Sequence, residues 1–185
     1  MCQEGMDELR FVDVLRDELG LISHWSLKIW RDYYLPEILT EKELDGFWRR
    51  SYSEEKLLEN ALQGAIYQWI VLAGERVGFL SFEPEYHSDR LHLGKLYLLP
   101  RHHGCGIGGQ ALAHILSVAR DLKLAEIYLY VFRKNERAIR AYQRAGFSID
   151  RLEVTAVDGG LVYDDAVMIC RLTTCLLYTS PSPRD

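Results

Sequence analysis

At 185 residues the chain is long enough for one domain with a sizeable core and short for two. Hydrophobic residues make up 48% and charged residues 26%, which excludes disordered and collagen-like compositions. The net charge of −5, from 27 acidic against 22 basic residues, argues against a nucleic-acid partner and leaves room for a cationic ligand.

LRFVDV (Leu9 to Val14) alternates as a first strand, and Asp17 to Tyr34 then sets Leu21, Ile22, Trp25, Ile29 and Tyr33 at helical spacing. Pro36 punctuates, after which Thr40 and Glu43 form a capping box for a helix whose Leu44, Phe47 and Trp48 share a face. A third helix runs from Ser53 to Leu62 and stops at Gly64. The period then changes, with strands Ala65 to Ala73 and Arg76 to Phe82 joined by a tight turn at Gly74-Glu75, and His92 to Leu99 as the next strand, closed by Pro100. Leu112, Ile115, Leu116, Ala119 and Leu122 mark a long amphipathic helix ending near Lys123. Glu126 to Phe132 reads as a strand and Glu136 to Ala145 as a helix stopped at Gly146. Phe147 to Val157 and Tyr163 to Leu172 close the chain as two strands across a Gly159-Gly160 turn. The order β, helices, ββ, β, α, β, α, ββ predicts an α/β fold in which antiparallel hairpins flank one β-α-β unit.

Residues 1–8 are read as an N-terminal extension, 9–172 as the domain, and the tail TTCLLYTSPSPRD (173–185), which breaks both periods, as sequence outside it. No run approaches about eighteen apolar residues, so no membrane span is expected. The acidic start MCQEGMDEL has no secretory layout and points to the cytoplasm. Cys2, Cys105, Cys170 and Cys175 contain no C-x-x-C pair and are read as reduced thiols, with neither zinc nor disulfides.

RHHGCGIGG (Arg101 to Gly109) contains two overlapping patterns, G-x-G-x-x-G and R-x-x-G-x-G. Both need bare backbone amides at a helix start and glycines that let the main chain approach a phosphate, with the helix dipole adding attraction for the anion. A dinucleotide site expects the loop near the start of an alternating β-α sheet and an acidic residue about twenty positions on, at the end of the next strand. Here the loop lies past the midpoint and Glu126 opens its strand, so that reading fails on context. The P-loop pattern is absent because Gln110 and Ala111 follow the glycines. A glycine-rich turn that binds nothing remains the plain structural alternative.

With KLYLLP before it, the loop resembles the acetyl-CoA signature of the GNAT superfamily of N-acetyltransferases. NERAIRAYQRAGF (Asn135 to Phe147) resembles the superfamily's N-x-x-A-x-x-x-Y-x-x-x-G-F block, with the same spacing. The resemblance implies a twisted, mixed but largely antiparallel central sheet of about seven strands with helices on both faces. It further implies that amides of Gly104, Gly106, Ile107, Gly108 and Gly109, with Arg101 beside them, hold the pyrophosphate of acetyl-CoA. Leu96, Tyr97 and Leu98 would splay from the neighbouring strand and pair with the pantetheine arm. Asn135 and Ala138 would also meet that arm, and Tyr142 would protonate the departing thiolate.

Direct transfer to an amine needs no protein nucleophile, but an amine of pKa about 10.4 must lose a proton before it attacks a thioester. The resemblance places a glutamate base where this chain has Gly94, so His92, with an ordinary pKa of about 6.5, is the first candidate base, Glu83 the second, and Asp164 or Asp165 the third. The residues also allow plainer roles: Tyr142 as core, Asn135 as a helix N-cap, His92 as a structural histidine, Cys105 as a small turn residue. VYDDAVM (Val162 to Met168) with KLYLLPRHHGCGIG is similar to a bacterial subgroup that includes polyamine acetyltransferases. Glu85, Asp164 and Asp165 would suit a cationic small-molecule acceptor, in a pocket walled by Trp25, Trp30, Tyr33 and Tyr34. A peptide or protein amine is the rival substrate, and a non-catalytic acyl-CoA sensor the rival of another class. No metal is expected, and the resemblance leaves room for a homodimer.

Overall fold

The computed structural model describes residues 9–35, 37–157 and 159–172. The expectations for residues 1–8 with Cys2, for Pro36, and for 173–185 with Cys175 fall outside them.

Among the described residues, alternating apolar positions build one seven-stranded sheet from β1 (Leu9–Asp13), β2 (Ile66–Leu72), β3 (Glu75–Glu85), β4 (Arg90–Leu98), β5 (Glu126–Phe132), β6 (Ser148–Val157) and β7 (Leu161–Arg171). The spatial order is β1-β2-β3-β4-β5-β7-β6. β4 and β5 run parallel, and the other neighbouring pairs are antiparallel. The right-handed β-α-β crossover expected for a parallel pair is supplied by α4 (Ile107–Asp121).

The helices divide between the two faces because their apolar stripes do. On one face, Ile22 and Ile29 of α1 (Leu19–Tyr34) and Leu57 of α3 (Glu54–Leu62) bury Tyr67, Trp69 and Phe79. Leu44 and Phe47 of α2 (Glu41–Tyr52) continue that layer onto Leu161. On the other face, Ile107, Leu112 and Ile115 of α4 and the half-buried Ile139 and Tyr142 of α5 (Glu136–Arg144) pack on Leu80, Leu93, Ile127 and Leu129. Truncating a ring such as Trp69, 1% exposed, to alanine would cost about 3–5 kcal/mol. The predicted capping box forms: Thr40 Oγ1 accepts the Glu43 amide at 3.3 Å, and Glu43 Oε2 accepts the Thr40 amide at 2.8 Å.

Local geometry revises some boundaries. The β2–β3 turn is Ala73-Gly74 and not Gly74-Glu75, with φ of 49° and 83°, because a hairpin of this length turns through two left-handed residues. β3 extends to Glu85 and forms an antiparallel hairpin with β4, whereas the apolar run alone suggested an end at Phe82. A short 3₁₀ stretch, Arg16–Glu18, precedes α1, which starts at Leu19.

Two irregularities open the sheet. The β3–β4 register passes from Ser81↔Lys95 to Phe82↔Leu93, leaving Gly94 as an extra residue, and such a bulge bends and over-twists its strand. β4 pairs with β5 only at Arg90↔Glu126, Leu91↔Ile127 and His92↔Tyr128. From Gly94 onward β4 stays with β3 while β5 stays with β7, and the two strands part.

Candidate active site

The parted strands open into a cavity of about 1160 Å³. Gly94 to Leu98 run along it, and the start of α4, one side of α5, α1, α2, β6 and β7 bound it, with the Tyr33 ring of α1 6.0 Å from the His103 ring.

The chain turns from β4 into α4 through a short 3₁₀ stretch, Pro100–His102, and two left-handed glycines, Gly104 (φ 78°) and Gly106 (φ 80°), the latter being the helix N-cap. The His103 ring holds the turn by a 3.0 Å hydrogen bond to the Leu98 carbonyl. The first intrahelical bond is Gln110 N–H to Gly106 C=O, so the amides of Ile107, Gly108 and Gly109 belong to the bare first turn. A Cβ on Gly109 would meet no atom within 4 Å, and one on Gly108 would meet only the Leu98 side chain at 3.8 Å. Packing within the protein therefore does not require glycine at either position. What the missing side chains leave is open access to bare amides at a positive helix end.

Gly104, Gly106, Gly108, Gly109, Leu96, Tyr97 and Leu98 all line the cavity. Ile107 does not: its side chain is 4% exposed in the α4 core, which leaves only its amide for the role expected of it. Arg101 also falls elsewhere. It is exposed, bonds His102 Nε2 from its Nε at 3.0 Å, and faces a separate small cleft with His24 and Trp25, because the 3₁₀ turn swings it away.

α5 contributes Asn135, Ala138 and Tyr142. Asn135 is 7% exposed and committed to structure: Oδ1 accepts the Ala138 amide and the Tyr33 hydroxyl, each at 3.2 Å, while Nδ2 donates to the Tyr34 hydroxyl at 3.4 Å. The capping role of this residue is thus realised. Tyr142 packs edge-on to Phe147, and burial, with a smaller effect of Tyr33, pushes its pKa up to about 12. The phenol keeps its proton at neutral pH. Arg137 and Arg144 line the same side; their helical spacing was visible, but their direction depends on how α5 docks.

Trp30, Tyr33 and Tyr34 line the wall as expected, joined by Tyr52, Tyr97, Tyr130 and Tyr163. Trp25 instead packs edge-on against Trp69, outside the cavity. Tyr52 donates its hydroxyl to Tyr97 at 3.0 Å, and burial raises the pKa values of both, so they remain neutral. His92 lines the cavity, stacked on Tyr128 at 4.8 Å and edge-on to Tyr130. Burial lowers its pKa to about 4, against a weaker opposing effect of Glu85, so the imidazole is neutral at pH 7. A side chain at Gly94 would start 3.8 Å from His92 Cε1. His92 therefore stands beside the position where the resemblance expects a base.

The other acidic candidates separate. Glu83 lies inside β3 opposite His92, but it is not part of the cavity wall. Glu85 is taken by Tyr128 and Ser88, and Asp164 by Arg133 at 2.8 Å. Asp165 does reach the cavity, and so does Glu153, its cross-strand partner on β6, which the sequence reading passed over. Burial first, then Asp164 and Glu153, raise the Asp165 pKa to about 6. Cys105 is half-buried in the turn against the core, with its thiol 3.8 Å from the His103 carbonyl. Among the described residues no three His, Cys, Asp or Glu side chains are grouped to hold a metal, and no helix is long and apolar enough to cross a membrane.

A model of the Acetyltransferase (GNAT) family matches residues 26–147. The chain is 34% identical over 107 residues to the spermine/spermidine N(1)-acetyltransferase of Bacillus subtilis, covering 53% of this chain and 70% of that protein. It is 41% identical over 64 residues to an uncharacterized N-acetyltransferase of Mycobacterium tuberculosis, a match that spans 34% of this chain and only 41% of that relative's length. Among solved structures, the PaiA N-acetyltransferase of Thermoplasma acidophilum in complex with coenzyme A superposes with a TM-score of 0.72 at 20% identity, covering 89% of this chain and 99% of that one. The spermidine N-acetyltransferase of Vibrio cholerae in complex with CoA and spermine gives 0.64 at 20% identity, covering 88% and 95%.

Proposed function

Because the chain belongs to the GNAT acetyltransferase family, we propose that it moves an acetyl group from acetyl-CoA to the primary amine of a small molecule. The observation that carries this reading is the helix start at Gly106, where bare amides open onto the cavity and Gly108 and Gly109 have no packing reason to be glycine. Residues 9–172 form the acetyltransferase domain in this reading, and the cytoplasm is where it acts.

Acetyl-CoA supplies the activated thioester. The amides of Ile107, Gly108 and Gly109 take the pyrophosphate oxygens, and the backbone of Leu96 to Leu98, freed where β4 leaves β5, aligns the pantetheine arm. Tyr142, protonated throughout the neutral range, donates a proton to the departing sulfur. The acceptor binds in the same cavity, where Asp165 and Glu153 favour an ammonium group. Neutral His92 relays to water the proton that the amine must shed before it attacks. The Bacillus and Vibrio relatives are named for polyamine acceptors, one class among the small amines of this reading.

A homodimer belongs to the same reading: β6 is an edge strand with Leu152 55% and Val154 66% exposed, a surface that a second copy would cover.

The test is thiol release from acetyl-CoA across a panel of polyamines, amino acids, aminoglycosides and peptides. Turnover confined to small amines supports the proposal. Turnover of peptides alone overturns the acceptor class, and tight CoA binding with no turnover at all overturns the enzymatic reading.

A further inference from the structure

One buried charged side chain in the cavity wall is not used by the mechanism above; Arg137 and Arg144, which also line it, are exposed. Lys95 lies on β4 one residue past the Gly94 bulge and is 9% exposed. It lines the cavity, with its ammonium 4.6 Å from the centre of the Tyr52 ring. Among the described residues no carboxylate lies within 4.0 Å of that ammonium, and the charge that acts on it most is the like-signed Lys56. Burial, and to a lesser extent Lys56, lowers its pKa to about 8, so most of it remains charged at pH 7.

A buried cation without a counter-ion costs several kcal/mol unless something pairs with it. The ring of Tyr52 returns only about 0.5–2 kcal/mol of that. An apolar side chain of similar volume would fold better at this position, so Lys95 has no reason in the fold alone. Its place is also informative. The bulge sets Lys95 on the α1–α3 side of the sheet with Tyr97, its ammonium over the Tyr52 ring. The same cavity holds Asp165 and Glu153 on β6 and β7. Its wall therefore carries a buried positive group at Lys95 and a negative pair at Asp165 and Glu153, while Arg137 and Arg144 are exposed on α5. A purely cationic acceptor gains at the carboxylates and is repelled at Lys95, whereas an acceptor bearing both an amine and a carboxylate meets an opposite charge at each.

On the acetyl-transfer reading above, we propose that Lys95 is a specificity-determining residue that pairs with a carboxylate of the acceptor, making the substrate class amino acids or other small amines that carry a carboxylate. Every bond made or broken is that of the ordinary transfer; Lys95 positions the acceptor and exchanges no proton with it.

The experiment compares matched acceptors that differ only by the carboxylate, free lysine against cadaverine and free arginine against agmatine, in the wild-type protein and in Lys95→Met. The wild type is expected to favour the carboxylated member in kcat/KM by about tenfold to a hundredfold, the range of one charge-assisted pair. Lys95→Met is expected to lose most of that preference, chiefly through KM for the carboxylated member. Lys95→Gln is measured alongside, and circular dichroism checks that each variant is folded; should neither fold, the wild-type preference alone decides. Wild-type preference for cadaverine and agmatine overturns the proposal while leaving acetyl transfer to small amines intact. An equal loss on both members in the variants also overturns it, because it would place Lys95 against acetyl-CoA or the fold. No turnover of either class by protein shown to bind acetyl-CoA overturns the acetyl-transfer reading, and this one with it.

Discussion

The Asn135 side chain accepts a hydrogen bond from the Tyr33 hydroxyl at 3.2 Å and so fastens the start of α5 to the end of α1, 102 residues away in sequence. The same oxygen caps α5 through the Ala138 amide, and the amide nitrogen reaches Tyr34. Asn135→Ala should therefore lower stability by about 2 kcal/mol, the sum of a lost cap and of polar partners left buried. Asn135→Ser keeps a hydroxyl oxygen that can cap the Ala138 amide without adding a charge, so it should cost less. Urea unfolding of the three proteins, with m unchanged, checks the order.

Tyr142→Phe separates chemistry from packing. No hydrogen bond holds the hydroxyl among the described residues, so its removal should leave the melting temperature unchanged or slightly higher. kcat should fall by about 10²–10⁴, the usual worth of a positioned acid, with KM for acetyl-CoA little altered. An unchanged kcat would reduce Tyr142 to a core residue.

Gly108→Ala and Gly109→Ala should act on stability and binding in opposite directions. Both positions lie in the first turn of α4 with open space for a Cβ, so each substitution should stabilise the fold by roughly 0.5 kcal/mol. Acetyl-CoA affinity, measured by calorimetry, should drop by about tenfold or more as the methyl group intrudes between amide and phosphate. Loss of stability without loss of affinity would contradict the phosphate role.

His92 makes a signed prediction about pH. Its folded pKa of about 4 lies below the unfolded value near 6.5, so between those limits the unfolded chain binds more protons and stability rises with pH. Asp165 has the opposite sign, since its folded pKa of about 6 exceeds the ordinary 3.8 and stability falls as pH rises through that window. His92→Gln should therefore flatten the rise in stability between pH 4 and 6.5 relative to the wild type, and Asp165→Asn should steepen it between pH 4 and 6. Parallel profiles for all three would show that neither group is held as described.

Much of the site was legible because its elements are contiguous. The left-handed Gly104 and Gly106, the bare first turn of α4, and the Asn135 cap with Tyr142 two turns later all follow from short-range backbone geometry. The residues misplaced by sequence reasoning are those whose direction depends on a local irregularity: Arg101 is turned out by the 3₁₀ stretch after β4, and Trp25 faces Trp69 on the side of α1 away from the cavity. Glu83 shows the same limit, since β3 runs three residues beyond its apolar core through pairing with β4.

Periodicity and spacing alone determined the order of elements, the hairpins and the phosphate-type helix start, because each depends on neighbours a few residues apart. Tertiary structure decided where the strands part, and so where a cavity opens, because that depends on the Gly94 bulge and on the β4–β5 pairing ending at His92↔Tyr128. It also decided that Lys95, Tyr52, Glu153 and Asp165, from four separate elements, share one wall, a coincidence of burial and charge that no one-dimensional pattern contains.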